Sequence, residues 1–310
     1  MRYLEWVEKV RWVVVGAGDI AVRRVLPGIV AEPRSTLTGI ATSVPAKAAP
    51  YGVRAFAALD EALEFCDAVY ISTPVIAHHP LTLQALAAGK YVLCEKPVAM
   101  SYEQASAMAA AADGRCGVAF YRRTYPAVLE AKRLMAAGAI GTPVAIEMCC
   151  QHWFAAENGH RAWLLDPALA GGGPLFDIGS HRIDLANFLF GRPLRAVGMR
   201  SNAFHTYAVE DNATVLIGYE RGARATIDIR WHARAERDEC RIVGTDGVIE
   251  LSPLNSGTLR APGVHLELPP HANLHYPLIE DFVAAIFERR KPVCPIEDAI
   301  LTDWVTAQVR

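Results

Sequence analysis

"RWVVVGAGDIA", residues 11–21, decides how the first half of this chain is read. Trp12 to Val15 is a short unbroken apolar run, the pattern of a strand buried on both faces, and it stops at Gly16. Gly16, Gly18 and Ala21 then fall in the G-x-G-x-x-G/A spacing at a strand-to-helix turn. Glycine at 16 permits the tight turn, and glycine at 18 lets the backbone approach a pyrophosphate lying on the helix N-terminus, with Asp19 and Ile20 beside it. An ordinary βα turn can carry the same few residues, so the surroundings must decide.

Those surroundings alternate. The runs "RWVVVG", "TLTGIAT", "DAVYIST" and "KYVLCEK" are separated by segments of helix length, which implies βαβ units and a parallel sheet. After Tyr121 the texture changes. A helix is predicted at Ala127–Ala137, a strand at Val144–Cys150, and a glycine-led helix at "GGGPLFDIGSH", residues 171–181. Two further strands, "ATVLIGY" and "ARATIDIRW", are joined across Glu220-Arg221-Gly222, a hairpin signal. Ala225, Ile227, Ile229 and Trp231 alternate with Thr226, Asp228 and Arg230, so one face is apolar and the other polar. Helical periods return at His275–Arg289 and Ile296–Arg310. The expected fold is α/β: a Rossmann dinucleotide-binding domain over residues 1–122, then an α+β domain over 123–310 with a large, mostly antiparallel sheet for substrate binding and oligomerisation. A chain of 310 residues is long enough for two such cores.

Bulk properties narrow the partners. The formal charge is −2, from 31 basic and 33 acidic residues with no run of like sign, which argues against nucleic acid or a membrane surface and for a small-molecule substrate. Seven cysteines at scattered positions form no paired CxxC framework, the pattern of a reducing, cytoplasmic setting. Cys149, Cys150 and His152 invite a metal reading, but no second cluster follows at zinc-like spacing, so no metal is expected. Glu5 and Glu8 interrupt the opening segment, which lacks the apolar core of a signal peptide, and no stretch approaches a membrane span.

The second strand carries the cofactor preference. NAD enzymes place an Asp or Glu near its end for the ribose 2′-hydroxyl. Here "GIATSVPAK", residues 39–47, offers Thr42 and Ser43 instead. Hydroxyls bond a 2′-phosphate without repelling it, and Lys47, Arg23 or Arg24 can add charge, so NADP is expected over NAD. No arginine directly follows the strand, and NAD stays open.

A second constellation lies behind the glycine triplet. A helical step of 100° puts Asp177, His181, Asp184 and Phe188 on one stripe, flanked by Leu175, Ile178, Leu185 and Leu189. A carboxylate and an imidazole hemmed in by apolar flanks are partly desolvated, which tunes groups for proton transfer. The alternative is a buried pair that only satisfies itself.

"STPVIAHHPLTLQALAAGKYVLCEKPVAM", residues 72–100, is more specific. Its TP-xxx-H followed by A-x-x-AGK-x-V-x-x-EKP resembles the Gfo/Idh/MocA oxidoreductase family, that of glucose-fructose oxidoreductase and inositol dehydrogenases. "GAGDIA", "EKP", "YRRTYP" and "GGGPLFDIGSHRID" occur in family order, so the resemblance covers nearly the whole chain. It implies hydride transfer between C4 of nicotinamide and a CH–OH or C=O carbon of a sugar, polyol or related cyclic alcohol. The resemblance makes Lys96, Asp177 and His181 the active site, and Lys96–Pro97 a cis peptide. His181 is then the general base, Asp177 its orienting partner and Lys96 the cation on the developing alkoxide. A lysine at the carboxyl end of a parallel strand sits where open α/β sheets bind ligands.

Other positions follow from the same likeness. Ser72, Thr73, Pro74 and His78 are expected beside the cofactor, with Glu95 and Lys96. Tyr121, Arg123, His152 and Trp163 are expected on the substrate side, with His152, Trp153 and Phe154 equally readable as core. Many members carry Trp-Arg where this chain has Trp163-Leu164, so that arginine is absent or replaced by Arg161. Gly179 is read as removing bulk near the reacting face. The family pairs its antiparallel sheets face to face, which implies a homo-oligomer, a dimer or tetramer. Two rival readings are a reductase of a non-sugar carbonyl, dihydrodiol- or biliverdin-type, and a non-catalytic dinucleotide-binding sensor or repressor. Loss of the lysine or histidine would favour the sensor, and both are present.

Overall fold

Residues 9–155, 159 and 161–309 are described by the computed structural model; Glu5, Glu8 and Arg310 of the segments read above lie outside them. The apolar run from Trp12 onward is strand β1, Val10–Val15, with Trp12, Val13 and Val14 fully buried. β2 (Ser35–Ala41), β3 (Arg54–Phe56), β4 (Ala68–Ile71), β5 (Tyr91–Cys94) and β6 (Cys116–Val118) join it. All are parallel, in the order β3-β2-β1-β4-β5-β6. Strand order reverses between β1 and β4, and in such sheets ligands bind outside the carboxyl ends at that reversal. The turn after β1 closes tightly on the loop after β4. Gly16 has φ +88°, and a Cβ there would stand 2.4 Å from the Ser72 carbonyl oxygen.

This unit is discontinuous: it takes in the stretch ending at Val98, Glu103–Tyr121 and Asn273–Asp298. A single boundary near residue 122 misses that last piece. The helix Tyr276–Glu288 buries Leu278, Ile279, Phe282 and Val283, with the Phe282 ring 5.7 Å from that of Trp12. Its amphipathic period is visible in the sequence; the surface that receives it is not.

The second unit is built on eight strands: β7 (Pro143–Trp153), β8 (Arg195–Ser201), β9 (Asn212–Gly218), β10 (Arg224–Arg230), β11 (His232–Gly244), β12 (Val248–Leu251), β13 (Thr258–Ala261) and β14 (Val264–Glu267). Their order is β14-β13-β12-β11-β7-β10-β9-β8, antiparallel except where β10 runs parallel to β7. Ala225, Ile227 and Ile229 of β10 are fully buried, and the β9–β10 hairpin turns through Arg221 and Gly222, both with positive φ.

The glycine triplet has a packing explanation. Gly171 takes φ +84°, and a Cβ on Gly173 would lie 2.1 Å from the Glu210 carbonyl oxygen. The helix that follows is not regular. Leu175–Gly179 is a π-turn before the α-helix Ser180–Phe190, so the 100° stripe drawn through Asp177 does not hold there. Gly179 also differs from expectation: a Cβ would meet Ile229 Cδ1 at 2.7 Å, so its smallness serves helix-on-sheet packing.

Candidate functional site

At the glycine turn the protein itself does not require glycine at 18. A Cβ built there has no described atom within 4 Å, so the space is open to an incoming group. That is the geometry a close-approaching pyrophosphate needs. Asp19 pairs with Arg23 one turn on, and a π-turn covers Ala21–Val25. Lys47 Nζ donates to the Ala17 carbonyl at 2.6 Å, which brings a cation to the turn. At the end of β2 the Thr42 hydroxyl accepts the Val44 N–H at 3.1 Å and Ser43 is exposed.

Across the strand reversal, the Ser72 N–H donates to the Val15 carbonyl at 2.8 Å. Thr73 Oγ1 is buried without a hydrogen-bond partner among the described residues, while Pro74 is exposed. His78 departs from its expected contact with cofactor. It is 1% exposed, with Nδ1 2.9 Å from the Pro97 carbonyl and Nε2 3.0 Å from the Thr73 carbonyl. Both ring nitrogens are occupied by main chain, and burial pushes its pKa down against those carbonyls. His78 ties the Thr73 loop to the segment after Lys96.

Lys96 is half-buried just past the carboxyl end of β5, and Lys96–Pro97 is cis. Glu95 is buried, and its Oε1 accepts from Tyr70 Oη at 2.8 Å and His275 Nε2 at 3.1 Å. Glu95 therefore faces inward, and neither Tyr70 nor His275 was visible as a site residue in the sequence. The Tyr121 ring lies 4.7 Å from the His275 ring, tilted against it, with the Arg24 guanidinium 5.9 Å from its centroid, so it is buried inside the first unit.

In the second unit Asp177 and His181 are both buried, 9% and 4% exposed. The Arg161 guanidinium donates to Asp177 Oδ2 at 2.5 Å and lies 5.0 Å from the Phe154 ring centroid. Arg161, not a residue beside Trp163, therefore supplies the cation at the carboxylate. His152, near the end of β7, lies in the field of the same pair. Burial pushes its pKa down, with Arg161 adding to that and Asp177 opposing it. Phe154 is core, stacked on Trp231 at 4.1 Å, whereas Trp163 sits partly exposed on the turn Ala162–Leu165.

Arg123 requires correction. Its Nε and Nη2 hold Asp184 at 2.6–3.1 Å, and both side chains are almost wholly buried, at 2% and 1% exposure. A guanidinium committed to a buried carboxylate anchors the helix Ser180–Phe190, and leaving that carboxylate bare would be strongly destabilising. In sequence, such an anchor looks the same as a substrate-binding arginine.

Comparisons with known proteins identify the family. A family model described as oxidoreductase family, NAD-binding Rossmann fold, matches residues 10–121, and the GFO/IDH/MocA C-terminal domain matches residues 128–250. The 1,5-anhydro-D-fructose reductase of Ensifer adhaerens is 29% identical over 308 residues, 94% of this chain and 92% of that protein. The crystal structure of aldose-aldose oxidoreductase from Caulobacter crescentus, complexed with glycerol, is 26% identical and covers 96% of both chains with a TM-score of 0.86. GenD2 from gentamicin A biosynthesis, solved in complex with NAD, is 25% identical over 100% of this chain and 95% of that one, with a TM-score of 0.83. Two matched domains in sequence order, together spanning more than half of the residues, show that this chain belongs to the GFO/IDH/MocA family of nicotinamide-dependent oxidoreductases.

Proposed function

We propose that the chain transfers a hydride between nicotinamide C4 and a CH–OH or C=O carbon of a sugar, polyol or related cyclic alcohol, with Lys96, Asp177 and His181 as its reacting groups. In this reading the first unit, Asn273–Asp298 included, binds the dinucleotide and the second unit the substrate. The observation that carries it is the place of Lys96, at the carboxyl edge of a parallel sheet whose strand reversal bears the open Gly18 turn. The sugar class is supported by the names of the relatives, a reductase of 1,5-anhydro-D-fructose and an aldose-aldose oxidoreductase.

When bound, the nicotinamide supplies or accepts the hydride. The chain's own residues do the rest. Gly16 and Gly18 admit the pyrophosphate, and Thr73, whose hydroxyl is otherwise unpartnered among the described residues, offers the nicotinamide end a polar contact. Thr42, Ser43 and Lys47 favour the 2′-phosphate of NADP over the bare ribose of NAD. His181 takes the hydroxyl proton while the Lys96 ammonium holds the developing alkoxide. Asp177 orients His181, and Arg161 pairs with that carboxylate.

We also propose a cytoplasmic homo-oligomer formed through the outer face of the second sheet. Val197, Met199 and Leu216 stand exposed there on β8 and β9, at 61%, 77% and 42%. A panel of sugars, inositols and ketoses, followed at the nicotinamide absorbance band with NADP and NAD in parallel, tests the activity. Turnover of at least one sugar or polyol, faster with NADP, is expected. Dinucleotide binding with no turnover across the panel would contradict it and favour a sensor.

A further inference from the structure

Lys96 projects from a peptide whose neighbours on both sides are fastened from within the first unit. On one side His78 meets the Pro97 carbonyl at 2.9 Å. On the other, the Glu95 carboxylate is gripped by two side chains distant in sequence, Tyr70 at 2.8 Å and His275 at 3.1 Å, both on Oε1. Its other oxygen accepts the Lys96 backbone N–H at 3.3 Å. Burial alone would raise the Glu95 pKa, but His275, Lys96 and Tyr70 together hold it below the ordinary carboxylate value. The group is therefore an acceptor only, and both Tyr70 and His275 must donate to it.

His275 is 1% exposed and heads the helix Tyr276–Glu288. Its backbone N–H donates to Asn273 Oδ1 at 3.1 Å, and Asn273 Nδ2 in turn donates to the Arg24 carbonyl at 2.8 Å. Its ring packs at a tilt against Tyr121, and its Nδ1 has no hydrogen-bond partner among the described residues. Such an arrangement is costly as mere filling. A buried carboxylate held by donors is often replaceable by apolar side chains at little cost in stability, and this one lies directly beside Lys96.

We propose that His275, assisted by Tyr70, is a positioning residue of the hydride transfer: by holding Glu95 it fixes the peptide that carries Lys96, and so the line along which the ammonium meets the substrate oxygen. This rests on the role of Lys96 proposed above. Small displacements of a reacting group are enough to matter, since a shift of about 1 Å can cost on the order of 10²-fold in rate.

The test is steady-state kinetics on His275→Leu, His275→Gln and Tyr70→Phe, each also in a Lys96→Ala background, with melting curves and fluorescence titration of NADPH. His275→Leu should lower kcat by about 10- to 100-fold with KM and NADPH affinity unchanged. His275→Gln, whose amide can still donate to Glu95, should recover most of that loss, and Tyr70→Phe should lose less than His275→Leu. In the Lys96→Ala background none of the three should lower kcat further. A folded His275→Leu protein with wild-type kcat overturns the proposal, as does an equal loss in the Lys96→Ala background. If His275→Leu does not fold, Tyr70→Phe decides, because it deletes one oxygen; unchanged kcat overturns the proposal. Full turnover by Lys96→Ala alone would sink the role of Lys96 and this proposal with it, whereas a dead Lys96→Ala beside an active His275→Leu sinks only the positioning.

Discussion

Gly18 and Gly16 share a motif but differ in what demands them. Gly16 is required by the protein, through its positive φ and the Ser72 carbonyl 2.4 Å from any Cβ. Gly18 meets no described atom within 4 Å, and in the proposed reading its demand comes from the pyrophosphate. Gly18→Val should therefore melt close to wild type yet lose NADPH binding in a fluorescence titration, and unchanged affinity in the folded variant would remove the pyrophosphate assignment. Lys96, Asp177 and His181, the residues of the proposed site, are singled out in the sequence because each lies inside a contiguous motif. Partnerships are not. Glu95 and His275 stand 180 positions apart, and no local pattern joins them. Arg123 was misread for a related reason, since its Asp184 partner lies 61 positions away.

At the scale of elements, apolar patterning located seven of the fourteen described strands, β1, β2, β4, β5, β7, β9 and β10, because a buried parallel strand and a half-buried antiparallel one each leave a distinct pattern. Two helices, Pro126–Ala136 and Tyr276–Glu288, lie within a residue of the predicted spans, whereas the helix begun at Ile296 ends at Thr306, short of the predicted Arg310. The two π-turns were not legible. Each inserts one residue within a single turn, too local for a period to register, and each follows a glycine segment bearing a candidate function. The loop after β8 rests on one carboxylate. Asp211 is fully buried and accepts the Ala203, Phe204 and His205 N–H groups at 2.7–2.9 Å, with the Asn212 amide at 2.8 Å. Burial works to raise its pKa, but these donors bring it down to about 2 from an ordinary 3.8. A depressed folded pKa stabilises the protein above the unfolded value and ceases to do so as pH falls from about 3.8 through about 2. Asp211→Asn should cost roughly 1–3 kcal/mol in urea unfolding at neutral pH, and the gap from wild type should narrow at pH near 3. An equal gap at both pH values would contradict this account of the loop.

For the whole molecule, composition and alternation separated a parallel half from a mostly antiparallel one. The return of Asn273–Asp298 to the first unit was hidden, because an amphipathic helix declares that it is buried but not against what. The outer face of the second sheet leads to a prediction at this scale. Met199→Glu should shift light-scattering mass toward the monomer, while a wild-type monomer over a wide concentration range would contradict the oligomer. The central claim is that Lys96 and His181 act on one substrate oxygen. Its most direct test is a double-mutant cycle in kcat on the best substrate found in the panel, with NADPH affinity measured alongside. Lys96→Ala should lower kcat by roughly 10²–10³ and His181→Ala by roughly 10²–10⁴, both with cofactor binding intact, and the double variant should fall far short of the product. Near-normal turnover by either single variant would contradict the account.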